Sequence, residues 1–388
     1  LKRLRYAASG ADLFADPGSG FVYPKFMSAE VGDGAKFYER KLLSSDHDAY
    51  PGVVGEKEAS LKMVTELIGF GGSPAGAGNG VAATDGENGL LLKSVFGKQT
   101  KDTGSQAAAG TTASVVKLAS TTLFSVGGFV GCVDPATSIF HVRQIRSKNA
   151  TDLNLCRALP FTPATSSVVY ASAHYSHATE GHQHLWFDVE GYDATPAGNW
   201  RRYVRGALGN LALKLDGQAT MEWDWKGVDW FDASGASQGV AAFPANMPAA
   251  GVFVNRRTRV VIDATEQKVT DLGFDLGNDV QAKATTSPAN GISSFFMKDA
   301  KRGVKFSVYH DDGGMALITK FLAGTKIDLL IELSQAGPGN SFVLCAPFVE
   351  LTGYKRKDQG GLVAYDFEAM VRRNDTITGV ADVTLGVL

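Results

Sequence analysis

The chain has 388 residues, 44% of them hydrophobic and 20% charged, with a formal net charge of −2. That balance describes a globular protein long enough for two or three domains. It excludes a disordered chain and a nucleic-acid binder that works by neutralising phosphates. The 45 glycines against 13 prolines suit many short strands joined by turns. Cys132, Cys156 and Cys345 are odd in number and widely spaced, which predicts buried thiols in a reducing compartment rather than a disulfide framework. The opening LKRLRYAASG lacks the apolar core of a signal peptide, and no run approaches the roughly 18 apolar residues of a membrane span. No membrane partner is expected.

Residues 1–55 show little periodicity (ADPGSGFVYPKF, SSDHDAYPGVVG) and read as an extended N-terminal arm that needs another surface to lie on. Residues 56–68, EKEASLKMVTELI, alternate polar and apolar and predict a strand. A glycine-rich loop, GFGGSPAGAGNG, separates it from a short helix over Asp85–Gly97, capped by Gly97. After a polar loop come the strands VVKLA and TLFSVGGFVGCV. SSVVYASAHYSH, the turn ATEGHQ and HLWFDVEGY together predict a hairpin. Residues 238–251 sit in a small, charge-poor stretch and are assigned as a domain linker. Beyond it, RRTRVVIDA, VTDLGFDL, ISSFFMKD, GVKFSVYHDD, KIDLLIELS, SFVLCAPFVELTGY, LVAYDFEAMVRR and GVADVTLGVL predict successive strands, with MALITKFLAG as a helix among them. The fold class is therefore mainly β, with one domain over residues 56–237 and a second over 252–388, each carrying one short helix.

One stretch organises this reading. In Gly217–Trp225, GQATMEWDW, Trp223 and Trp225 point one way while Glu222 and Asp224 point the other. In Gly361–Ala369, GLVAYDFEA, Tyr365 and Phe367 oppose Asp366 and Glu368 in the same manner. A constant offset of 144 carries Glu222 to Asp366, Trp223 to Phe367 and Asp224 to Glu368. Upstream, Gly198-Asn199 and Gly339-Asn340 each open an apolar run followed by a basic loop. Two tandem copies of one β-rich unit explain the match, although similar strand–turn–strand passages also arise without duplication. Trp223, Trp225, Tyr365 and Phe367 are the expected core aromatics.

The chemical motifs are weak. His174, His177, His182 and His184 lie close together, and a hairpin could gather imidazoles for zinc. However, His174 and His177 fall on opposite strand faces, and no carboxylate or cysteine completes a set. Gly235–Gly239, GASQG, fits a nucleophile-elbow spacing but is followed by a proline-interrupted segment rather than a helix. GAGNG lacks the spacing and lysine of a phosphate loop. Asn149-Ala150-Thr151 and Asn374-Asp375-Thr376 fit a glycosylation pattern that matters only in a secreted protein. The two acidic pairs would form a catalytic dyad only beside a pocket; such alternation more often marks a solvated strand face. Neither an enzyme constellation nor a cofactor is implied.

The order of these features resembles the tail tube (major tail) proteins of long-tailed bacteriophages. The resemblance rests on the alternating strand EKEASLKMV, the helix NGLLLKSVFGK, the passage FSVGGFVGCV and the closing GLVAYDFEAMVRRNDTITGVADVTLGVL. It implies β-sandwich or barrel domains whose strands join around a ring, with rings stacked into a hollow tube that conducts DNA. It further implies self-association, contacts with other tail proteins at the tube ends, and residence in the virion tail after assembly in the host cytoplasm. Two tube domains per chain would fit a trimeric ring with pseudo-sixfold symmetry. In that arrangement Glu222, Asp224, Asp366 and Glu368 are expected to line the channel and repel phosphates, so that DNA passes without specific binding. A distal tail or baseplate hub protein of the same fold, a β-sandwich binding module and a metal hydrolase built on the histidine hairpin are the alternatives.

Overall fold

A computed structural model describes residues 2–24, 26–40, 50–67, 88–191, 200–232, 258–263, 265–286, 291–334, 341–373 and 379–388. The fold is mainly β. Its elements in the first part of the chain are β1 (Lys2–Ala8), β2 (Phe26–Arg40), β3 (Tyr50–Glu66), α1 (Gly89–Phe96), β4 (Gly97–Lys101), β5 (Ser105–Gln106), β6 (Val115–Lys117), β7 (Phe129–Val133), β8 (Phe140–Lys148), β9 (Asp152–Leu155) and β10 (Val168–Ala171). Next come β11 (Ala173–His177), β12 (Leu185–Gly191), β13 (Trp200–Asp216), β14 (Gln218–Gly227), β15 (Asp229–Asp232), β16 (Thr258–Ile262), β17 (Thr265–Gln267) and β18 (Val269–Asp275). The last are β19 (Asn278–Ala284), β20 (Ile292–Ala300), β21 (Gly303–Tyr309), α2 (Gly314–Leu322), β22 (Ile327–Ser334), β23 (Ser341–Gln359), β24 (Leu362–Val371) and β25 (Thr384–Val387). The predicted linker at 238–251, the GASQG stretch, GAGNG, the Gly-Asn pairs and Asn374 lie outside the described residues.

One pairing pattern occurs twice. In the first part of the chain the ladder runs β2–β3–β14–β13, and β13 continues upstream to pair with β12, which pairs with β1. In the second part it runs β18–β21–β24–β23, and β23 continues upstream to β22, which pairs with β16. The irregularities recur too. β2 carries one extra residue against β3 between Phe26 and Ser28, and β18 carries one against β21 between Val269 and Asp271. Leu185 and Phe187 pair with Ala207 and Val204, as Ile327 and Leu329 pair with Val349 and Ala346. Bulges bend a strand and fix its register, so their recurrence at matching positions constrains both ladders alike.

The two ladders are fused. β13 pairs with β18 from Ala212↔Asp275 to Leu215↔Leu272, giving the uninterrupted strand order β2–β3–β14–β13–β18–β21–β24–β23. The apolar face of this run is the main core, which holds Trp223, Trp225, Phe274, Phe306, Phe367 and Tyr365, together with helix residues Leu91, Leu92, Val95, Phe96 and Leu317. Trp223 and Trp225 stack with ring centroids 5.8 Å apart, and the Trp223 indole N–H donates to Thr65 Oγ1 at 2.9 Å. Burying each such aromatic contributes about 2–3 kcal/mol. The helices sit where the sequence expects them. Gly97 closes α1 at φ 87°, a left-handed conformation that favours glycine.

Three expectations need correction. The N-terminal arm is not free of its own chain: Lys2–Ala8 pairs along its length with β12, and Leu4 and Tyr6 are buried in the main core. Period-two alternation in KRLRYA carries this signal, obscured by the basic residues between the apolar ones. Arg5, one of these, hydrogen-bonds Asp188 at 2.5 Å. Phe26–Arg40 is likewise a strand, forming a long hairpin with β3. The hairpin expected over residues 166–192 does not form. β11 pairs with β4 and β25, whereas β12 pairs with β1 and β13. Each strand takes its partners from distant parts of the chain, so the segment between them joins strands that are not neighbours.

The region between β4 and β11 is an inserted sheet ordered β5–β10–β7–β8–β9–β6, with its own core around Val116, Phe124, Val130, Ile145, Leu153 and Val169. It leans on β16, β22, β23 and β25 through Phe129, Phe140, Val142, Val261, Leu330 and Val343. At that seam the fully buried Glu332 accepts from the Val142 amide at 3.1 Å and Arg259 Nη1 at 3.3 Å, with Arg143 Nη1 at 3.6 Å. Burial pushes the Glu332 carboxyl up, and the two guanidinium groups oppose that push.

Because β1 is part of the core, Tyr6→Ala is expected to lower unfolding stability by about 3–5 kcal/mol, the usual cost of emptying a buried aromatic position. Urea denaturation measures it; an unchanged midpoint would mean that β1 is dispensable and the arm reading stands.

Candidate functional site: the polar face of the fused sheet

Cross-strand partners in a ladder share a face. A row of such partners, Glu66–Thr220–Lys214–Gly273–Lys305–Glu368–Gly353, crosses nearly the whole eight-strand run. Neighbouring rows contain Val64–Glu222–Ala212–Asp275 and Asp271–Ser307–Asp366–Lys355. Glu222, Asp224, Asp366 and Glu368 therefore project from one face of one sheet. The face opposite carries Trp223, Trp225, Tyr365 and Phe367, all buried.

The acids are not alone there. Lys214 Nζ lies 2.6 Å from Glu222, Lys305 Nζ 3.0 Å from Glu368, and Lys357 Nζ 2.6 Å from Asp366 and 3.7 Å from Asp271. Asp224 stands between Lys62 and Asn210 in register. The face thus carries carboxylates interleaved with lysines rather than carboxylates alone. Most of these groups are well exposed, so each pair contributes about 0–1 kcal/mol. Partial burial alone would raise the Asp366 carboxyl. Hydrogen bonds from Lys357 and Ser307 outweigh it and hold the group below the usual carboxylate range. The same bond, with Asp366 as its main cause, raises Lys357.

One polar cluster stands out on this face. Ser307 Oγ donates to Asp366, lies 3.0 Å from Asp271 and accepts from Lys357 Nζ at 3.1 Å, so a hydroxyl, two carboxylates and an amine meet there.

The four histidines are dispersed. His174 is buried beside Asp102, with Nδ1 3.7 Å from the carboxylate and 3.5 Å from Ser172 Oγ. The same ring nitrogen faces both groups, so no relay from carboxylate through imidazole to hydroxyl exists. His182 bonds the Ser94 and Ala178 carbonyls, and His184 Nε2 lies 3.0 Å from the Phe295 carbonyl. His177 and His182 meet edge to face with ring centroids 6.0 Å apart. Among the described residues, no group of three or more His, Cys, Asp or Glu is arranged to hold a metal ion. Cys132, Cys156 and Cys345 are free, and burial raises the first two thiols to about 12 and about 11.

Sequence reasoning missed two features: the buried Glu332 cluster and the part played by β2 at the sheet border. The first had no local signal, because Arg259 faces Glu332 across the β16–β22 ladder and Arg143 joins them only through the insertion. The second was available as the alternation of FMSAEV, opposite the alternation already noted in EASLKMV. No helix among the described residues is long and apolar enough to cross a membrane. No known protein family matches the chain, and a search of curated proteins returns no match.

The buried imidazoles set a pH dependence. Burial, with Arg259 and Arg143 nearby, lowers His141 to about 4; burial, with Arg302 and His182, lowers His177 to about 4. Burial also lowers His174 and His184. Unfolded imidazoles take up protons near pH 6.5 while folded His141 and His177 resist to about pH 4, so the unfolded state gains protons first as the solution is acidified. Stability is expected to fall steadily from about pH 6.5 to 4, with a further loss below as Asp366 is protonated. Thermal midpoints at pH 7, 5.5 and 4 measure this, with a drop of several degrees expected and a flat profile contradicting neutral buried histidines.

Proposed function

We propose that this chain is the structural subunit of a phage tail tube and has no enzymatic role. On this reading the twice-occurring ladder represents two tandem tube domains, with α1 and α2 as their flanking helices. The inserted sheet accounts for the greater length of the first. Three chains close a ring with pseudo-sixfold symmetry, and rings stack into a hollow virion tail tube. One observation carries the proposal: two matched four-strand ladders are already fused edge to edge within one chain, through β13 and β18. Repeating that fusion between chains closes a ring, and a closed ring is the simplest way to remove open sheet borders.

The polar face becomes the channel wall. Glu222, Asp224, Asp366 and Glu368 would meet passing phosphates with like charge. The interleaved lysines hold the wall near electrical balance, so the genome is neither trapped nor strongly expelled. Partners are then other copies of this chain, tail proteins at the tube ends, and DNA in transit.

Negative-stain electron microscopy of the purified protein tests the proposal. Hollow tubes or stacked rings with three chains per ring are expected, with ring mass measured by light scattering. Single rings that never stack would favour a distal tail or hub component instead. A monomer at all concentrations would overturn both.

A further inference from the structure

The seam between the inserted sheet and the frame holds a cleft that the channel reading leaves unused. Along β22 and β23, Ile331 and Leu344 belong to the main core, whereas Leu330 and Cys345 turn the other way, towards the insertion. On that side Arg143 and Arg146 of β8, Cys156 and Arg157 just beyond β9, and Asp328 and Phe348 of the frame line a cleft of about 260 Å³. Pockets for drug-sized ligands run from about 300 to 1,000 Å³, so this one suits a small ion or molecule.

Its charge is unbalanced. Three guanidinium groups line it against the single carboxylate of Asp328. Arg157 turns one edge of its guanidinium to that residue: Nε donates to Oδ2 at 2.7 Å, while Nη2 meets Oδ1 and donates to the Asp328 carbonyl at 3.1 Å. Arg143 is engaged as well, with Nη1 2.7 Å from the Val142 carbonyl and 3.6 Å from Glu332. Burial lowers the Arg143 guanidinium; Glu332 opposes that, and Arg259 and Arg157 add to it. Two donors remain. Arg146 is exposed and has no ion-pair partner among the described residues. Arg157 Nη1 belongs to a side chain only 9% exposed, and it is buried with no hydrogen-bond partner among the described residues. Buried N–H groups almost always have a partner, an ordered water or ion included, and a charged one left alone is costly.

We propose that this cleft binds a phosphate-class oxyanion between Arg146 and Arg157. Guanidinium groups match phosphate and carboxylate alike. A tetrahedral group offers oxygens in more directions than a planar one, and here the donors come from separate segments of the insertion. The anion also offsets repulsion among three arginines that the insertion alone supplies. The site does not depend on ring formation.

Cys156 reports occupancy. Burial raises its thiol to about 11, and Arg146 and Arg157 act against that rise, so both guanidinium groups lie within electrostatic reach of the sulfur. An anion between them blocks the thiol and holds it in the unreactive protonated form. The full chain is treated with iodoacetamide at fixed ionic strength, and mass spectrometry follows Cys156 alkylation with inorganic phosphate, a nucleoside monophosphate, acetate or chloride. A site of about 1 mM affinity slows alkylation about tenfold at about 10 mM phosphate. Arg146→Gln, a change at an exposed position, is expected to abolish the protection, read as the ratio of rates with and without phosphate in each protein. Lys268→Gln, which removes an exposed cation elsewhere, is expected to retain it. Stronger protection by the nucleoside monophosphate assigns an organic phosphate and equal or weaker protection assigns the free ion; either supports the site. Equal protection by acetate or chloride, protection that survives Arg146→Gln, or no protection at all would overturn it.

Discussion

Backbone hydrogen bonding at sheet borders is the constraint on which this structure turns. Every extended strand has two rows of amide and carbonyl groups, and each row must find a ladder, a side chain or water. Inside the chain this requirement is met at the seam between the two ladders, where β13 and β18 exchange bonds over Ala212–Leu215 and the flanking Leu276 amide donates to the Leu211 carbonyl at 2.9 Å. Asn210 strengthens the same seam. Its side-chain amide donates to Asp275 at 2.7 Å, and its carbonyl oxygen accepts from the Asn278 backbone at 3.0 Å. Both ladders depend on this seam for a continuous apolar face, because the core runs beneath it without a break. Among the described residues, β2 and the Gly353–Gln359 part of β23 each pair with one strand, so the seam at the centre has no described counterpart at the margins.

The long strands carry a second demand. β13 and β23 each serve two ladders, one along the upstream half and another along the downstream half, so each must change direction between them. In β13 the change falls at Gly206, whose φ of 53° is left-handed and whose surroundings leave no room for a side chain. An added Cβ would lie 3.0 Å from Leu13 and Val228. Gly209 answers a different need, since a Cβ there would lie 2.4 Å from the Trp225 ring that packs over the backbone. The aromatic face of β14 and the bend of β13 are therefore one packing problem, with small residues on one strand making space for large ones on the next.

Local period-two alternation made most of the fold legible. It located β3, β14, β24 and the strands after residue 258 except β17 and β19, and α1 and α2 followed from apolar spacing and a capping glycine. The offset of 144 between the two aromatic and acidic stretches placed Glu222 with Asp366 and Trp223 with Phe367, the equivalence that the ladder registers display. Partner choice was not legible. Nothing local in AHYSH or LWFDVEG says that the first strand goes to β4 and β25 and the second to β1 and β13, because pairing is decided by distant segments competing for the same edge. Nor did the acidic stretches reveal the lysines opposite them, since Lys214, Lys305 and Lys357 come from three other strands. The sequence suggested an acidic wall because it displays only one strand at a time.

The inserted sheet departs from β4 after Lys101 and rejoins at β11 before Ala173, and those two residues are direct partners in the ladder. The Asp102 amide donates to the Ser172 carbonyl at 3.0 Å, so the stem is pinned at its base. Exit and return points this close let a loop of another length close over the same stem at a small entropic difference, although the inserted sheet also packs on the frame and supplies Val142 and Arg143 to Glu332. Such a stem is a natural grafting point. A sheet exchanged there would have to rebuild the contacts that Phe129, Phe140 and Val142 make with Val261, Leu330 and Val343 of the frame.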